Sequence, residues 1–177
     1  MGLYNKTNPY ERSHFMKIRT KDIYQADPDT VFDILTDPDF LKARAEAVGA
    51  RNVQVIVEEK DGLVHITLQR EIRSDAPSAL KKFVPEWSPS VQKETWKVQP
   101  GGPYLGKASV EIDGVPVSAR SRMKLTAGEH GGAMMLMETE FKSSVPLLGG
   151  KLASFAAETA RETLKAEYTF TKKRIDG

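Results

Sequence analysis

The spacing of apolar residues changes along the chain, and its last change predicts the longest element. From residue 151 to residue 174, apolar and small side chains recur at three- and four-residue steps without a Pro or Gly. This spacing places them on one stripe of an α-helix about 36 Å long, enough to cross a small domain. The stripe contains Leu152, Phe155, Ala156, Thr159, Ala160, Thr163, Leu164, Glu167, Tyr168 and Thr171. Since so many of these are Ala or Thr, we expect part of the helix to face loosely filled space.

Most of the chain before this helix alternates between apolar and polar residues, which is typical of half-buried β-strands. The connectors contain Asp-Gly, Gly-Gly or Pro-Gly pairs, which favour tight turns. Short connections between consecutive strands predict an antiparallel meander, and a sheet of six to seven strands must twist and curl. The predicted strands cover residues 16–24, 52–58, 64–72, 91–98, 104–112, 115–125 and 133–142.

Two short helices are predicted between the first and second strands. Asp27-Pro28 and Asp37-Pro38 each place a side-chain acceptor at a helix N-cap and a proline at the first helical position. Gly49 is the expected C-terminal cap of the second helix. The element order is therefore one strand, two short helices, a run of strands and one long helix.

Length, composition and charge limit the number of domains, the compartment and the possible partners. The chain has 177 residues, a net charge of +2 and no cysteine, so we expect one domain without disulfides in the cytoplasm. We divide the chain into a flexible segment, 1–15, and a single domain, 16–177. No apolar run approaches the ~20 residues of a membrane span, and we predict no integral membrane segment. Lys and Arg are scattered among Asp and Glu, so no nucleic-acid partner is predicted.

Four segments of the chain carry a resemblance to known proteins. Tyr24-Gln25-Ala26-Asp27-Pro28-Asp29-Thr30-Val31-Phe32 spans the junction of the first strand and the first helix. Together with the element order, this segment resembles the helix-grip fold of the START-like superfamily, which includes lipid-transfer START domains, polyketide cyclases and birch-pollen-allergen-type proteins. Three further segments resemble an uncharacterised bacterial family of unknown function within that superfamily: Asp37-Pro38-Asp39-Phe40-Leu41, Glu94-Thr95-Trp96 and Val145-Pro146-Leu147-Leu148-Gly149-Gly150-Lys151-Leu152.

The resemblance implies an α+β fold in which a curved antiparallel sheet grips a long C-terminal helix, with a hydrophobic cavity between them. It transfers no catalytic residue.

The residues expected to line that cavity lie on the inner faces of strands and on the helix stripe. Met is flexible and polarisable, which suits an adaptable wall, although ordinary core packing explains a Met cluster equally well. Met134 cannot share a strand face with Met135 and Met137, so part of the cluster must point elsewhere. The predicted ligand-binding residues are Val64, Ile66, Leu68, Arg70, Trp96, Met123, Met137, Phe155 and Thr159.

Arg70 has two interpretations. It is in register with apolar residues of its strand, and an unpaired charge on that face would be costly. It could meet a carboxylate, with Glu138 and Glu140 as possible partners, or bind a ligand anion. Alternatively it lies in solvent at a strand end, which is the interpretation the sequence favours.

Other candidate chemistry is weaker. Glu138 and Glu140 share a strand face, where paired carboxylates can perform acid–base chemistry, but a solvated face is commoner. The three histidines, His14, His65 and His130, lack metal-ligand spacing, and no nucleophile elbow occurs. Gly149-Gly150 precedes the predicted helix, where an anion could dock or the chain could simply turn. We therefore predict no metal, cofactor or catalytic residue.

Three functions remain open. The preferred one is the binding or carriage of a small hydrophobic or amphipathic ligand, of the lipid or polyketide class, in the cavity. A cyclase- or hydrolase-like enzyme would need several polar groups inside the same cavity, for which the sequence offers Arg70, Glu138, Tyr104 and Tyr168. A protein-interaction module would have no cavity and would expose Trp87 and Phe83, which could otherwise form a lid.

Overall fold

Ten elements form the fold in a computed structural model that describes residues 14–129 and 131–177. The predicted flexible segment lies outside these ranges, except for its last two residues, which belong to the first strand. The elements are β1 (His14–Tyr24), α1 (Pro28–Thr36), α2 (Pro38–Ala47), β2 (Arg51–Lys60), β3 (Leu63–Arg73), β4 (Trp87–Lys97), β5 (Tyr104–Ile112), β6 (Ser118–Ala127), β7 (Ala133–Ser143) and α3 (Gly149–Asp176).

All seven strands form one antiparallel sheet, in the order β1-β7-β6-β5-β4-β3-β2. The strands β2 to β7 form a meander, and β1 pairs with β7, which joins the first and last strands of the chain. The three helices cover one face of this curved sheet. The predicted α+β helix-grip architecture is confirmed, including the two short helices after the first strand.

The caps of α1 and α2 form as the sequence predicts. The side chain of Asp27 accepts a hydrogen bond from the Thr30 backbone amide at 3.0 Å, and that of Asp37 accepts one from the Phe40 amide at 2.6 Å. Each proline occupies the first turn of its helix, where its missing N–H costs nothing. These caps fix where both helices begin, and hence which apolar residues face the sheet.

The end of the sheet under α1 and α2 is a solid core. Phe32 of α1 stacks on Tyr104 of β5 with ring centroids 4.1 Å apart and meets Trp96 of β4 edge to face. The hydroxyl of Tyr104 donates to Asp29 at 2.5 Å, which ties β5 to the first turn of α1. This packing closes one end of the space beneath α3.

The helix α3 begins earlier than the sequence predicts. Gly149 and Gly150 lie in its first turn, and Gly149 is buried. The chain reverses before them at Leu147, which has a φ of 63° and is almost fully exposed. A left-handed leucine is uncommon, so the turn could not be assigned from residue type. The proposal of a glycine turn ahead of the helix was therefore wrong.

Two strand boundaries also differ. The strand β6 begins at Ser118 because residues 112–117 form hydrogen-bonded turns around Pro116. The strand β4 begins at Trp87 and includes Pro89, which the sequence pattern placed in a loop. The side of Pro89 that lacks an N–H faces β5, and that strand ends at Ile112, opposite Ser90. Asp113, the residue after β5, still donates its backbone N–H to the Pro89 carbonyl at 2.8 Å, so the proline costs at most one bond at the end of this pairing.

Candidate ligand cavity

A cavity of about 590 Å³ lies between α3 and the inner face of the sheet. Its volume falls in the range of small-molecule sites, roughly 300–1,000 Å³. Its apolar wall is formed by side chains from β3 to β7 and from α3, and chiefly includes Ile72, Trp96, Val110, Met123, Met135, Met137, Phe141, Leu152, Phe155 and Leu164.

The cavity exists because small side chains meet small side chains. Ala108 of β5 and Ala119 of β6 line its sheet side, and Ala156 and Ala160 line its helix side. The helix packs mainly on β1 and β7, where Ala153 and Ala157 contact Ile18 and Phe141. Over β5 and β6, these small side chains leave a gap between the sheet and the helix. The Ala/Thr stripe of α3 thus forms the helix side of the cavity.

The end of the cavity near the start of α3 is closed by the connection between β3 and β4. Leu80 and Val84 from this connection form a buried cluster with Leu152, and Phe83 and Phe155 pack against it. Phe83 is half-buried, so it does not form an exposed apolar patch with Trp87. The connection therefore acts as a wall of the cavity.

A chain of hydrogen bonds crosses the cavity wall from β4 to α3. Arg70 donates through Nη2 to Gln92 Oε1 at 3.2 Å and pairs through Nη1 with Glu167 Oε1 at 3.4 Å. Gln92 Nε2 donates to Glu94 Oε1 at 2.6 Å, and Trp96 Nε1 donates to Glu94 Oε2 at 2.8 Å. All five side chains line the cavity. We call these five side chains the polar pole of the cavity.

The electrostatics of this pole favour a neutral acceptor over an anion. It holds one cation, Arg70, and two carboxylates, Glu94 and Glu167. Both oxygens of Glu94 already accept hydrogen bonds. The Arg70 side chain is only 10% exposed, and its Nε is buried without a hydrogen-bond partner among the described residues. The excess of negative charge at this pole disfavours an anionic ligand and suits a neutral polar group.

A second polar group lies on β1. Burial raises the pKa of Asp22 from 3.8 to about 6, and the nearby Arg44 guanidinium lowers it in part. Burial, reinforced by the charge of Asp22, also raises the pKa of the Tyr24 hydroxyl far above its ordinary value. Asp22, Tyr24 and Arg44 all line the cavity. A carboxyl that changes its charge near neutral pH therefore faces this space.

The nine predicted ligand-binding residues lie in two places, the cavity wall and the solid core. Arg70, Trp96, Met123, Met137, Phe155 and Thr159 line the cavity. Val64, Ile66 and Leu68 do not, although they share the inner face of β3 with Arg70. Val64 and Ile66 belong to the solid core with Phe32 and Trp96, and Leu68 packs on Ala45 of α2. Alternation along a strand predicts on which face of the sheet a residue lies, but not which other element covers that residue.

The favoured interpretation of Arg70 as a solvated strand end was wrong, and so were its suggested partners. Glu138 and Glu140 lie on the outer face of the sheet, where Lys17 and Arg19 of β1 and Lys142 of β7 pair with them. Hydrogen bonds from these cations hold the pKa values of both glutamates below their ordinary value. The solvated-face interpretation of the two glutamates is confirmed.

Other residues named from the sequence also have defined places. Met135 and Met137 line the cavity and Met134 does not, as alternation required. Trp87 is half-buried at the start of β4 and lines the cavity, with the Arg51 guanidinium 3.8 Å from its ring centroid. Tyr168 lines the cavity but directs its hydroxyl to the Ile23 carbonyl at 3.0 Å.

Gln92, Glu94 and Glu167 of the polar pole escaped prediction as site residues, and so did Asp22 and Arg44. Gln92 and Glu94 alternate with Trp96, so the period of β4 already placed them on its inner face. Glu167 was on the predicted helix stripe. The signal that was missed is the same in each case, since a polar residue at a core-facing position needs an internal partner.

The described part of the chain offers neither a metal site nor a membrane helix. Residues 14–129 and 131–177 contain no group of three or more His, Asp or Glu residues placed to hold a metal ion. Within the same ranges, no helix is long and apolar enough to cross a membrane.

The sheet and α3 have the helix-grip fold that the START-like resemblance implies. Residues 20–175 match the model of a family described as "Protein of unknown function (DUF2505)", and the chain belongs to that family. No curated protein matches the chain in sequence.

Solved structures share this fold at low sequence identity. TTHA0849 from Thermus thermophilus is 14% identical, with a TM-score of 0.59 over 90% of this chain and 97% of that one. Ara h 8.0201 is 12% identical, with a TM-score of 0.56 over 89% and 97%. The di-domain ARO/CYC BexL from the BE-7585A biosynthetic pathway is 17% identical, with a TM-score of 0.59 over 97% of this chain and 52% of its own. At these identities, the likeness concerns the fold alone.

Proposed function

We propose that this protein binds a small hydrophobic or amphipathic molecule in the cavity under α3. The observation that carries the proposal is the combination of a largely apolar cavity of about 590 Å³ with a connected polar pole around Arg70. A ligand in this space would make packing contacts with the apolar wall. The cytoplasm remains the expected compartment.

The polar pole restricts the class of ligand. Arg70 is already paired with Glu167 and Gln92, and Glu94 lies in the same network. A free fatty acid would bring a third carboxylate into a poorly solvated space, which is unfavourable. We therefore expect a ligand with a neutral oxygen at one end, such as a ketone, ester or alcohol, and an apolar body between Met123, Met137 and Phe155.

The test begins with the purified protein. Native mass spectrometry and organic extraction should reveal a co-purified small molecule. A thermal-shift screen should give larger stabilisation with neutral long-chain ketones, alcohols and polyketides than with the matching carboxylic acids. If no apolar compound of any class shifts the melting temperature, and none co-purifies, the proposal is wrong.

Catalysis is the second candidate, and the observation that favours it is Asp22. A carboxyl with a pKa of about 6 facing a ligand cavity is suited to general acid–base chemistry at neutral pH. ARO/CYC BexL, a protein of a biosynthetic pathway, shares the fold. If the protein is an enzyme, its ligand should be consumed by the wild type but recovered unchanged from Asp22→Asn. Recovery of unchanged ligand from both proteins would leave binding as the function.

A further inference from the structure

The outer face of the sheet carries a row of alternating lysines and leucines that crosses every strand. The strand register places Lys60 opposite Leu63, Leu63 opposite Lys97, Lys97 opposite Leu105, Leu105 opposite Lys124, Lys124 opposite Leu136, and Leu136 opposite Lys21. We call these seven residues the lysine–leucine row. With strands ~4.8 Å apart, it is roughly 29 Å long and its lysines recur about every 10 Å.

The row is accessible to a partner. Its four lysines are exposed, and Leu105 and Leu136 keep 48% and 37% of their surface in solvent. The side chains beside them on the same strands point inward to the cavity and core, where all three helices lie. The outer face therefore presents its leucines to solvent without a covering element among the described residues.

The surrounding charge extends the positive character of the row. Lys107 and Arg122 form the next cross-strand pair, followed by Arg120 and Lys93, each opposite Ser109. None of these four cations has a carboxylate within ion-pair distance among residues 14–129 and 131–177. The nearby acids of β7 are occupied by other cations, as described above. Strands β4 to β6 thus carry a net positive charge on this face, although Arg120 and Arg122 lie opposite Glu140 and Glu138 of β7.

We propose that this outer face docks on the surface of an anionic lipid bilayer, with the lysines at the headgroups and the leucines between them in the interface. Anionic headgroups complement the lysines, and the boundary of the acyl chains complements the leucines. A nucleic acid would use the lysines but leave the exposed leucines in water, so it fits the row less well. The proposal does not require the cavity to be occupied.

The experiment is vesicle flotation of the full chain. Wild-type protein should float with phosphatidylcholine vesicles that contain phosphatidylglycerol, and should stay behind with pure phosphatidylcholine. Removal of two lysines in K97A/K124A should weaken the binding at least about tenfold. The control K81A/K165A removes the same charge from exposed positions outside the row and should bind within about twofold of wild type.

Substitution of the leucines distinguishes binding to a bilayer from binding to a polyanion such as DNA. L105S/L136S leaves the charge unchanged and should weaken flotation about fivefold or more, because it removes apolar surface from the interface. Thermal unfolding of each variant confirms that it is folded. The proposal is overturned if wild type floats equally with both vesicle types or with neither. It is also overturned if both lysine pairs act alike, or if a DNA duplex binds wild type and L105S/L136S equally and displaces the vesicles.

Discussion

Trp96 lies directly against the backbone of Gly106, its cross-strand neighbour on β5. A Cβ at Gly106 would come within 2.7 Å of Trp96 Cε3, although nothing in the glycine's own φ requires it to be glycine. The missing side chain makes room for the indole, whose Nε1 then reaches Glu94 at 2.8 Å. One glycine on the sheet therefore positions both the core aromatic and a carboxylate of the polar pole.

Gly106→Ala should destabilise the fold by about 2 kcal/mol, because the added methyl group must displace a well-packed ring. Urea denaturation gives the free energy of unfolding, and the Trp96 fluorescence reports the displaced ring. In a Trp96→Leu background the same glycine substitution should be nearly neutral. An equal effect in both backgrounds would show that the ring is not what Gly106 accommodates.

The polar pole predicts that loss of its one cation lowers stability more than loss of one of its carboxylates. Arg70→Met leaves Glu94 and Glu167 in a poorly solvated cavity without their cation, and should lower the free energy of unfolding by about 3 kcal/mol. Glu167→Gln should have a smaller effect, because Arg70 keeps Gln92 and the network to Glu94. Arg120→Met, at an exposed position on the outer face, is the matched control and should change stability little. Equal effects of the two arginine substitutions would contradict the internal role of Arg70.

Asp22 predicts a pH-dependent difference between wild type and Asp22→Asn. Its pKa is raised to about 6 in the folded chain from 3.8, so its contribution to stability is full below 3.8 and is lost as the pH rises through about 6. At pH 7 the asparagine variant should be more stable by about 1 kcal/mol, after allowance for partial solvent screening. At pH 4 the advantage should disappear. Thermal unfolding at the two pH values measures this, and a constant difference would refute the assignment.

The void under α3 predicts unusual tolerance of larger side chains. Ala108→Leu combined with Ala119→Leu adds bulk at two cavity positions, and should leave the free energy of unfolding unchanged or higher. In a filled core, the same change would cost about 1–3 kcal/mol for each site. Chemical denaturation against wild type decides the matter. A loss of several kcal/mol would mean that the space between helix and sheet is not available.

The sequence predicted the fold well because its signals are local. Asp27-Pro28 and Asp37-Pro38 define two helix starts through contacts three residues away, and the stripe of α3 follows from period alone. The exceptions are also physical. Leu147 adopts a turn conformation that its residue type disfavours, and Pro89 is tolerated in a strand because its partner strand ends at that level.

The cavity was less predictable than the fold, because its lining depends on which helix lies opposite each position of the sheet. Alternation placed Arg70 and Leu68 on one face, but only the position of α2 determines that Leu68 is covered and Arg70 faces the cavity. The partner of Arg70 is 97 residues away in sequence, on α3. The lysines of the outer row are likewise gathered by strand register, and look scattered in the linear sequence.

The central claim is that a ligand occupies the void between helix and sheet, and one titration tests it most directly. N-Phenyl-1-naphthylamine is a neutral apolar probe whose fluorescence rises in dry surroundings. Wild-type protein should bind it saturably, and A108L/A119L should lose most of the signal. The control S109L/S118L, which places leucines on the outer face of the same two strands, should bind it like wild type. Equal binding by all three proteins, or no binding by the wild type, would contradict the claim.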